Sequence, residues 1–182
     1  MKHRLANYIT CIRIIGTVGL LWLEPQSPVF FMVYTLTGLT DVLDGYIARK
    51  TNTTSALGAK LDSIADLLFY AVMLGKLLPI LWVRLPVGIW YAIGAILCVR
   101  LLGYVVAAVK YRQFASLHTY LNKLAGLAVF AVPYILLLPV AVPLCWGVCA
   151  IAGMAAIEEL LIHMRNSTYR ANIVGIGSKE EK

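Results

Sequence analysis

The chain has 182 residues, of which 60% are hydrophobic and only 14% charged, with a formal net charge of +7. A soluble domain carries about 25% charged residues, so water could not solvate a surface this poor in charge. The length suits one domain, and the excess of basic residues is not read as a nucleic-acid footprint, because in a membrane protein the placement of charge matters more than its sum.

The composition and the recurrence of long apolar stretches predict an all-α integral membrane protein with six transmembrane helices, each segment near the length that a ~30 Å hydrocarbon layer demands. Residues 1–7 are short and basic and lead into a first helix over 8–23, which contains Arg13. No small-residue cleavage site follows it, so a retained helix is expected rather than a removed signal peptide. The turn Glu24-Pro25-Gln26-Ser27-Pro28 separates it from a second helix over 29–50. The polar run 51–54 precedes a third helix over 55–81, and the Leu85-Pro86 corner opens a fourth over 86–111. A fifth helix over 118–140 contains Pro133, which should kink it, and a sixth runs over 142–164. Residues 1–165 are thus expected to form the membrane domain and residues 166–182 a polar cytoplasmic tail. The four cysteines, Cys11, Cys98, Cys145 and Cys149, lie in apolar segments without a His or further Cys to complete a metal set, and are read as small buried hydrophobes.

Orientation follows from the basic residues in the loops. One face collects Lys2, Arg4, Arg49, Lys50, Lys110, Arg112, Lys123, Arg165, Arg170, Lys179 and Lys182, whereas the other carries only Arg84 and Lys76. This bias places both termini in the cytoplasm, together with the turn after Arg49 and the connection from Lys110 to Lys123.

Of nine acidic residues, four are Asp41, Asp44, Asp62 and Asp66. Carboxylates at membrane depth are costly and mark function by default. The spacings of three and four put each pair on one face of its helix. Measured from the turn near Asn52 and Thr53 at ~1.5 Å per residue, Asp44 and Asp62 lie ~12–15 Å from the tip and Asp41 and Asp66 ~17–20 Å. Facing helices would bring four anions to nearly one level, where repulsion would protonate some of them unless cations were present. Hard divalent ions solve that problem, and all-oxygen ligation points to two Mg²⁺ or Mn²⁺ ions. Gly45, Ala48 and Gly58 are small enough to let a bulky ligand approach the backbone, and Arg49 offers a planar fork to a phosphate. Two metals and an arginine describe a clamp for displacement at phosphorus.

The run Asp41-Val-Leu-Asp44-Gly45-Tyr-Ile-Ala48-Arg49, with eight residues to Gly58, three to Asp62 and three to Asp66, resembles the signature of the CDP-alcohol phosphotransferase family at every specified position. Asn7-Tyr-Ile-Thr10-Cys-Ile-Arg13 is also similar to bacterial members. The resemblance implies transfer of a phosphatidyl group from CDP-diacylglycerol to a small polar alcohol with release of CMP, at the cytoplasmic face of the cell membrane. It implies Asp41, Asp44 and Asp62 as the principal metal ligands and Asp66 as general base and further ligand. Gly45, Ala48, Arg49 and Gly58 would lie against the cytidine and diphosphate, with Asn7, Thr10 and Arg13 completing the nucleotide pocket. The family also implies a homodimer.

For the acceptor, Arg100, Arg112, His118 and Lys123 are the candidate cations, with Lys110 nearby. His118 and Asn122 could form a polar wall, whereas Glu158 and Glu159 read as surface residues or partners of a neighbouring helix. Glycerol-3-phosphate is the expected acceptor, which would make a phosphatidylglycerophosphate synthase. The Asp62-Ser63 sequence is closer to phosphatidylserine and inositol-lipid synthases, which are the alternatives. Two other classes compete. A membrane prenyltransferase would be longer with more spans, and a cation carrier would need neither Gly45 nor Arg49.

Overall fold

The computed structural model describes the backbone of residues 2–51, 56–112 and 119–166, and the side chains of residues 10–40, 64–112 and 119–166. Six helices follow in order: α1 Lys2–Trp22, α2 Pro28–Thr51, α3 Ala56–Arg84, α4 Val87–Tyr111, α5 Tyr120–Ile135 and α6 Ala141–Arg165. The all-helical expectation holds among the described residues. Among the described residues, three helical stretches are long and apolar enough to cross a membrane: Ile64–Arg84, Val87–Tyr111 and Ala141–Arg165. Their outward faces are apolar, with Leu67, Val83, Leu101 and Val109 all more than half exposed, as suits side chains facing lipid rather than water.

The chain divides into two units, Met1–Val83 and Arg84–Lys182. In the first, α1 and α2 pack closely. The connection between them is built by sequence: Pro25 precedes Gln26 at φ 70°, and the Ser27 N–H donates to the Glu24 carbonyl at 3.2 Å, an arrangement of type II turn kind. Ser27 then caps α2 by accepting from the Phe30 N–H at 3.1 Å, with Pro28 at the first helical position, where its missing N–H costs nothing. Deeper in the pair, a side-chain carbon at Gly16 would stand 2.5 Å from the Thr37 hydroxyl, so glycine is what allows this approach. Phe30, Tyr34 and Phe69 stack in series, at 6.2 Å and 5.6 Å between ring centroids, and join α2 to α3. Lys76 of α3 donates to the Leu23 carbonyl at 2.9 Å, capping the end of α1. Trp22 and Trp82 are exposed near the same end, as in an interfacial aromatic belt.

In the second unit α6 packs against both α4 and α5. Small buried residues, Gly103, Ala107, Ala125, Ala155 and Ala156, let the backbones approach. Lys110 donates to the His163 and Met164 carbonyls at 3.0 and 2.8 Å, and the Tyr111 hydroxyl donates to that of Asn166 at 2.9 Å. The carboxyl ends of α4 and α6 therefore lie together. Arg84 caps the other end of the unit by donating to the Leu136 carbonyl. The fifth helix is shorter than the sequence suggested: it passes Pro133 but stops at Ile135, where the Leu136 N–H still bonds the Val132 carbonyl before the chain turns. Thr119 caps its start by accepting from the Asn122 N–H at 3.2 Å. The cysteines are all free thiols, but only Cys145 is buried; Cys11 and Cys98 are exposed, which apolar side chains tolerate on a lipid-facing surface.

Candidate active site

The nominated residue that the structure describes most fully is Asp66, on α3. Its Oδ1 accepts from Arg13 Nη1 at 2.8 Å, an ion pair across 53 residues of sequence. The guanidinium belongs to α1 and is 1% exposed, whereas the Asp66 side chain is 36% exposed. A buried cation thus holds one oxygen of a carboxylate that remains accessible from outside. Arg13 is fixed in turn by its own helix, whose next turn carries Thr17, with its hydroxyl on the Arg13 carbonyl at 2.8 Å. Thr10 is also buried, three residues before Arg13. Arg13, expected from the resemblance in a nucleotide pocket, thus stands in contact with Asp66, and Thr10, expected there too, is buried on the same helix.

The helical backbone continues through positions 41–51 of α2 and 56–63 of α3. The side chains of Asp41, Asp44, Gly45, Ala48, Arg49, Gly58 and Asp62, and that of Asn7 on α1, lie outside the described residues. So do His118 and residues 52–55. Among the described residues no group of three or more His, Cys, Asp or Glu side chains comes together, since Asp66 is the only member of the aspartate quartet they include. The donor chemistry of the quartet, carboxylate oxygen throughout, fits a hard divalent cation, and Asp66 is exposed enough to contribute.

The residues nominated for an acceptor separate into two groups. Arg100 is part of a polar cluster inside the second unit: its Nη2 donates to Asn122 Oδ1 at 3.1 Å and its Nη1 lies 3.5 Å from Glu159 Oε2. Lys123 is exposed and stands 5.5 Å from the centroid of the Tyr120 ring. Arg112 is exposed and left-handed, φ 55°, where it ends α4. Neither joins the Arg100 cluster. Glu159, read from sequence as a surface residue or a partner of a neighbouring helix, is buried and accepts from Asn122 Nδ2 of α5 at 3.1 Å. Glu158, beside it, has a buried Oε2 without a hydrogen-bond partner among the described residues.

The family model for CDP-alcohol phosphatidyltransferase matches residues 3–162. Among curated proteins the chain is similar to a CDP-diacylglycerol–serine O-phosphatidyltransferase of Methanocaldococcus jannaschii, 44% identical over 37% of this chain and 31% of that protein. It is similar to a CDP-diacylglycerol–glycerol-3-phosphate 3-phosphatidyltransferase of Rickettsia bellii, 39% identical over 43% of this chain and 46% of that one. It is also similar to the cardiolipin synthase (CMP-forming) of Rattus norvegicus, 42% identical over 36% of this chain and 22% of the relative. The chain thus spans less than half the length of these relatives. No solved structure matches it. With a family match over nearly the whole chain and an aspartate run that agrees with it, the protein belongs to the CDP-alcohol phosphatidyltransferase family.

Proposed function

We propose that the protein transfers a phosphatidyl group from CDP-diacylglycerol to a small polar alcohol and releases CMP. The observation that carries this reading is the aspartate run from Asp41 to Asp66, lying inside the matched family region. Register supports it: α1 brings Arg13 to Asp66 and, one turn on, Gly16 to Thr37, and Asp41 follows Thr37 by four residues in α2.

In this reading Asp41, Asp44, Asp62 and Asp66 hold two Mg²⁺ or Mn²⁺ ions. When bound, such ions neutralise the diphosphate and stabilise the departing CMP. Asp66 takes the proton of the acceptor hydroxyl as its oxygen bonds to the phosphorus that carries diacylglycerol, and the bond from that phosphorus to CMP breaks. Arg13 keeps the Asp66 carboxylate turned toward its task by holding Oδ1. Gly45, Ala48, Arg49 and Gly58 meet the nucleotide and diphosphate, with Asn7 and Thr10 beside them. Arg100 meets the acceptor, with Arg112, His118 and Lys123 as further cations on that side.

Six spans, cytoplasmic termini, a site on the cytoplasmic face of the cell membrane and a homodimer complete the proposal. Glycerol-3-phosphate is the proposed acceptor, supported by the similarity to the Rickettsia glycerol-3-phosphate 3-phosphatidyltransferase. The test is purified protein in detergent with labelled CDP-diacylglycerol and, in separate reactions, glycerol-3-phosphate, serine, inositol, inositol phosphate and phosphatidylglycerol. CMP release with glycerol-3-phosphate, and a matching lipid product, is the expected result. CMP release only with another alcohol would replace the acceptor, and none with any of them would overturn the activity.

A further inference from the structure

The chemistry above leaves unexplained why a carboxylate should be buried beside Arg100. Glu159 of α6 is 4% exposed, and its Oε2 accepts from Asn122 Nδ2 at 3.1 Å and faces Arg100 Nη1 at 3.5 Å. Asn122 of α5 bridges the two charges, since its amide oxygen accepts from Arg100 Nη2 at 3.1 Å. His163, one turn further along α6 and 1% exposed, puts Nε2 3.9 Å from Glu159 Oε1 without a hydrogen bond. Three helices therefore contribute to one polar knot inside an apolar unit.

Two details of the knot bear on what it can bind. First, 3.5 Å is long for a charge-assisted hydrogen bond, which runs at about 2.7–2.9 Å, so Asn122 anchors the guanidinium and Glu159 acts on it mainly as a charge. Second, the Arg100 side chain is 27% exposed while Glu159 is not. A guanidinium has five N–H donors, more than Asn122 and Glu159 engage, and the Arg100 side chain that carries them is partly exposed. A group that reaches Arg100 comes within range of the Glu159 carboxylate, 3.5 Å from the guanidinium.

We infer that Glu159 sets the charge preference of the acceptor position, because its buried carboxylate neutralises Arg100 and a phosphate on the acceptor must compete with it. This rests on the reading in which Arg100 meets the acceptor. A dianionic phosphate beside Arg100 feels the like charge of Glu159 through a medium that screens poorly, whereas a hydroxyl or a zwitterion does not. Glu159 is a specificity-determining residue that acts through Arg100; it is not a catalytic residue.

The test compares kcat/KM for glycerol-3-phosphate with kcat/KM for the best uncharged or zwitterionic acceptor among glycerol, serine and inositol. In Glu159→Gln, which keeps the shape and an oxygen for Asn122, the ratio should rise at least tenfold, chiefly through a lower KM for glycerol-3-phosphate. Glu159→Asp, which keeps the charge, should stay within about threefold of the parent. Arg100→Gln should shift the ratio at least tenfold the other way, and its partly exposed position makes it the variant to rely on should Glu159→Gln fail to fold. A ratio unchanged in Arg100→Gln, or unchanged or lowered in folded Glu159→Gln, would overturn the inference. Absence of CMP release from the parent protein with every acceptor would instead sink the proposed activity, so the two failures are distinguishable.

Discussion

Arg13 and Asp66 meet at 2.8 Å from helices 53 residues apart in sequence, with the arginine buried and the aspartate reachable. Ten residues further along both helices, the Leu23 carbonyl of the α1 end receives Lys76 of α3. Two contacts offset by the same ten residues mean that α1 and α3 run parallel and in register over about 15 Å. The arginine that holds the carboxylate proposed as base is therefore itself placed by two helices joined at two levels of the first unit.

Asp66→Asn should abolish turnover, lowering kcat by a thousandfold or more, while CDP-diacylglycerol binding changes little. The amide keeps an oxygen for Arg13, so the midpoint of thermal unfolding in detergent should also fall little. Asp66→Leu removes that oxygen and should destabilise the fold. Breaking a buried pair costs about 3–5 kcal/mol, and the partial exposure of Asp66 puts the expected loss at or below the low end of that range. Full turnover in the Asn variant would refute the assignment of Asp66 as base.

Arg13→Ala tests the positioning role from the other side. It should lower kcat about a hundredfold with a smaller change in the KM for CDP-diacylglycerol, because it frees the carboxylate to rotate. Arg13→Lys should recover part of kcat, since an ammonium restores the charge but not the planar fork. If KM for CDP-diacylglycerol rises while kcat holds, Arg13 serves the nucleotide and not Asp66.

Chelation should eliminate CMP release, and excess Mg²⁺ or Mn²⁺ should restore it. Asp41→Asn, Asp44→Asn and Asp62→Asn should each lower kcat at least a hundredfold, as expected when one carboxylate of a shared cation site is lost. Titration of Mn²⁺ by its paramagnetic signal would report binding independently of turnover. Retained activity in thoroughly chelated protein would exclude the metal-dependent reading.

Gly16→Ala should lower the unfolding midpoint, because the added methyl would stand 2.5 Å from the Thr37 hydroxyl in the buried seam of α1 and α2. Overpacking of this kind costs about 1–3 kcal/mol. Thr37→Ala in the same chain should recover part of the loss, giving non-additive effects that two independent sites would not show.

Asn122→Ala removes both hydrogen bonds that join Arg100 to Glu159. Leaving a buried carboxylate without its amide donor costs about 1–3 kcal/mol, and a fall of that order should appear in thermal unfolding. A neutral result would mean that the three helices of the second unit do not rely on this bridge.

Much of this protein is legible along the chain, because helix formation and membrane affinity are local properties. The run of apolar residues, the prolines and the polar turns gave six helices whose ends fall within a few residues of those observed, apart from the early start of α1 and the early stop of α5. The aspartate run likewise needs only its spacing along two helices to be matched to the family. Partnership between helices was a different matter. From sequence, the family resemblance assigns Arg13 to the nucleotide pocket, and only the register of α1 against α3 gives it to Asp66. Lys76 and Arg84, which the sequence offers only as the basic residues of the face expected to be poor in them, cap the carbonyls of Leu23 and Leu136. For Glu159 the sequence leaves open a surface place or a bond to a neighbouring helix, and packing decides for the second, with Asn122 of α5. Composition and period decide where a helix lies along the chain and whether it suits lipid. Which charges meet depends on how small residues such as Gly16 and Ala155 let one backbone settle against another, and that is decided only when the helices pack.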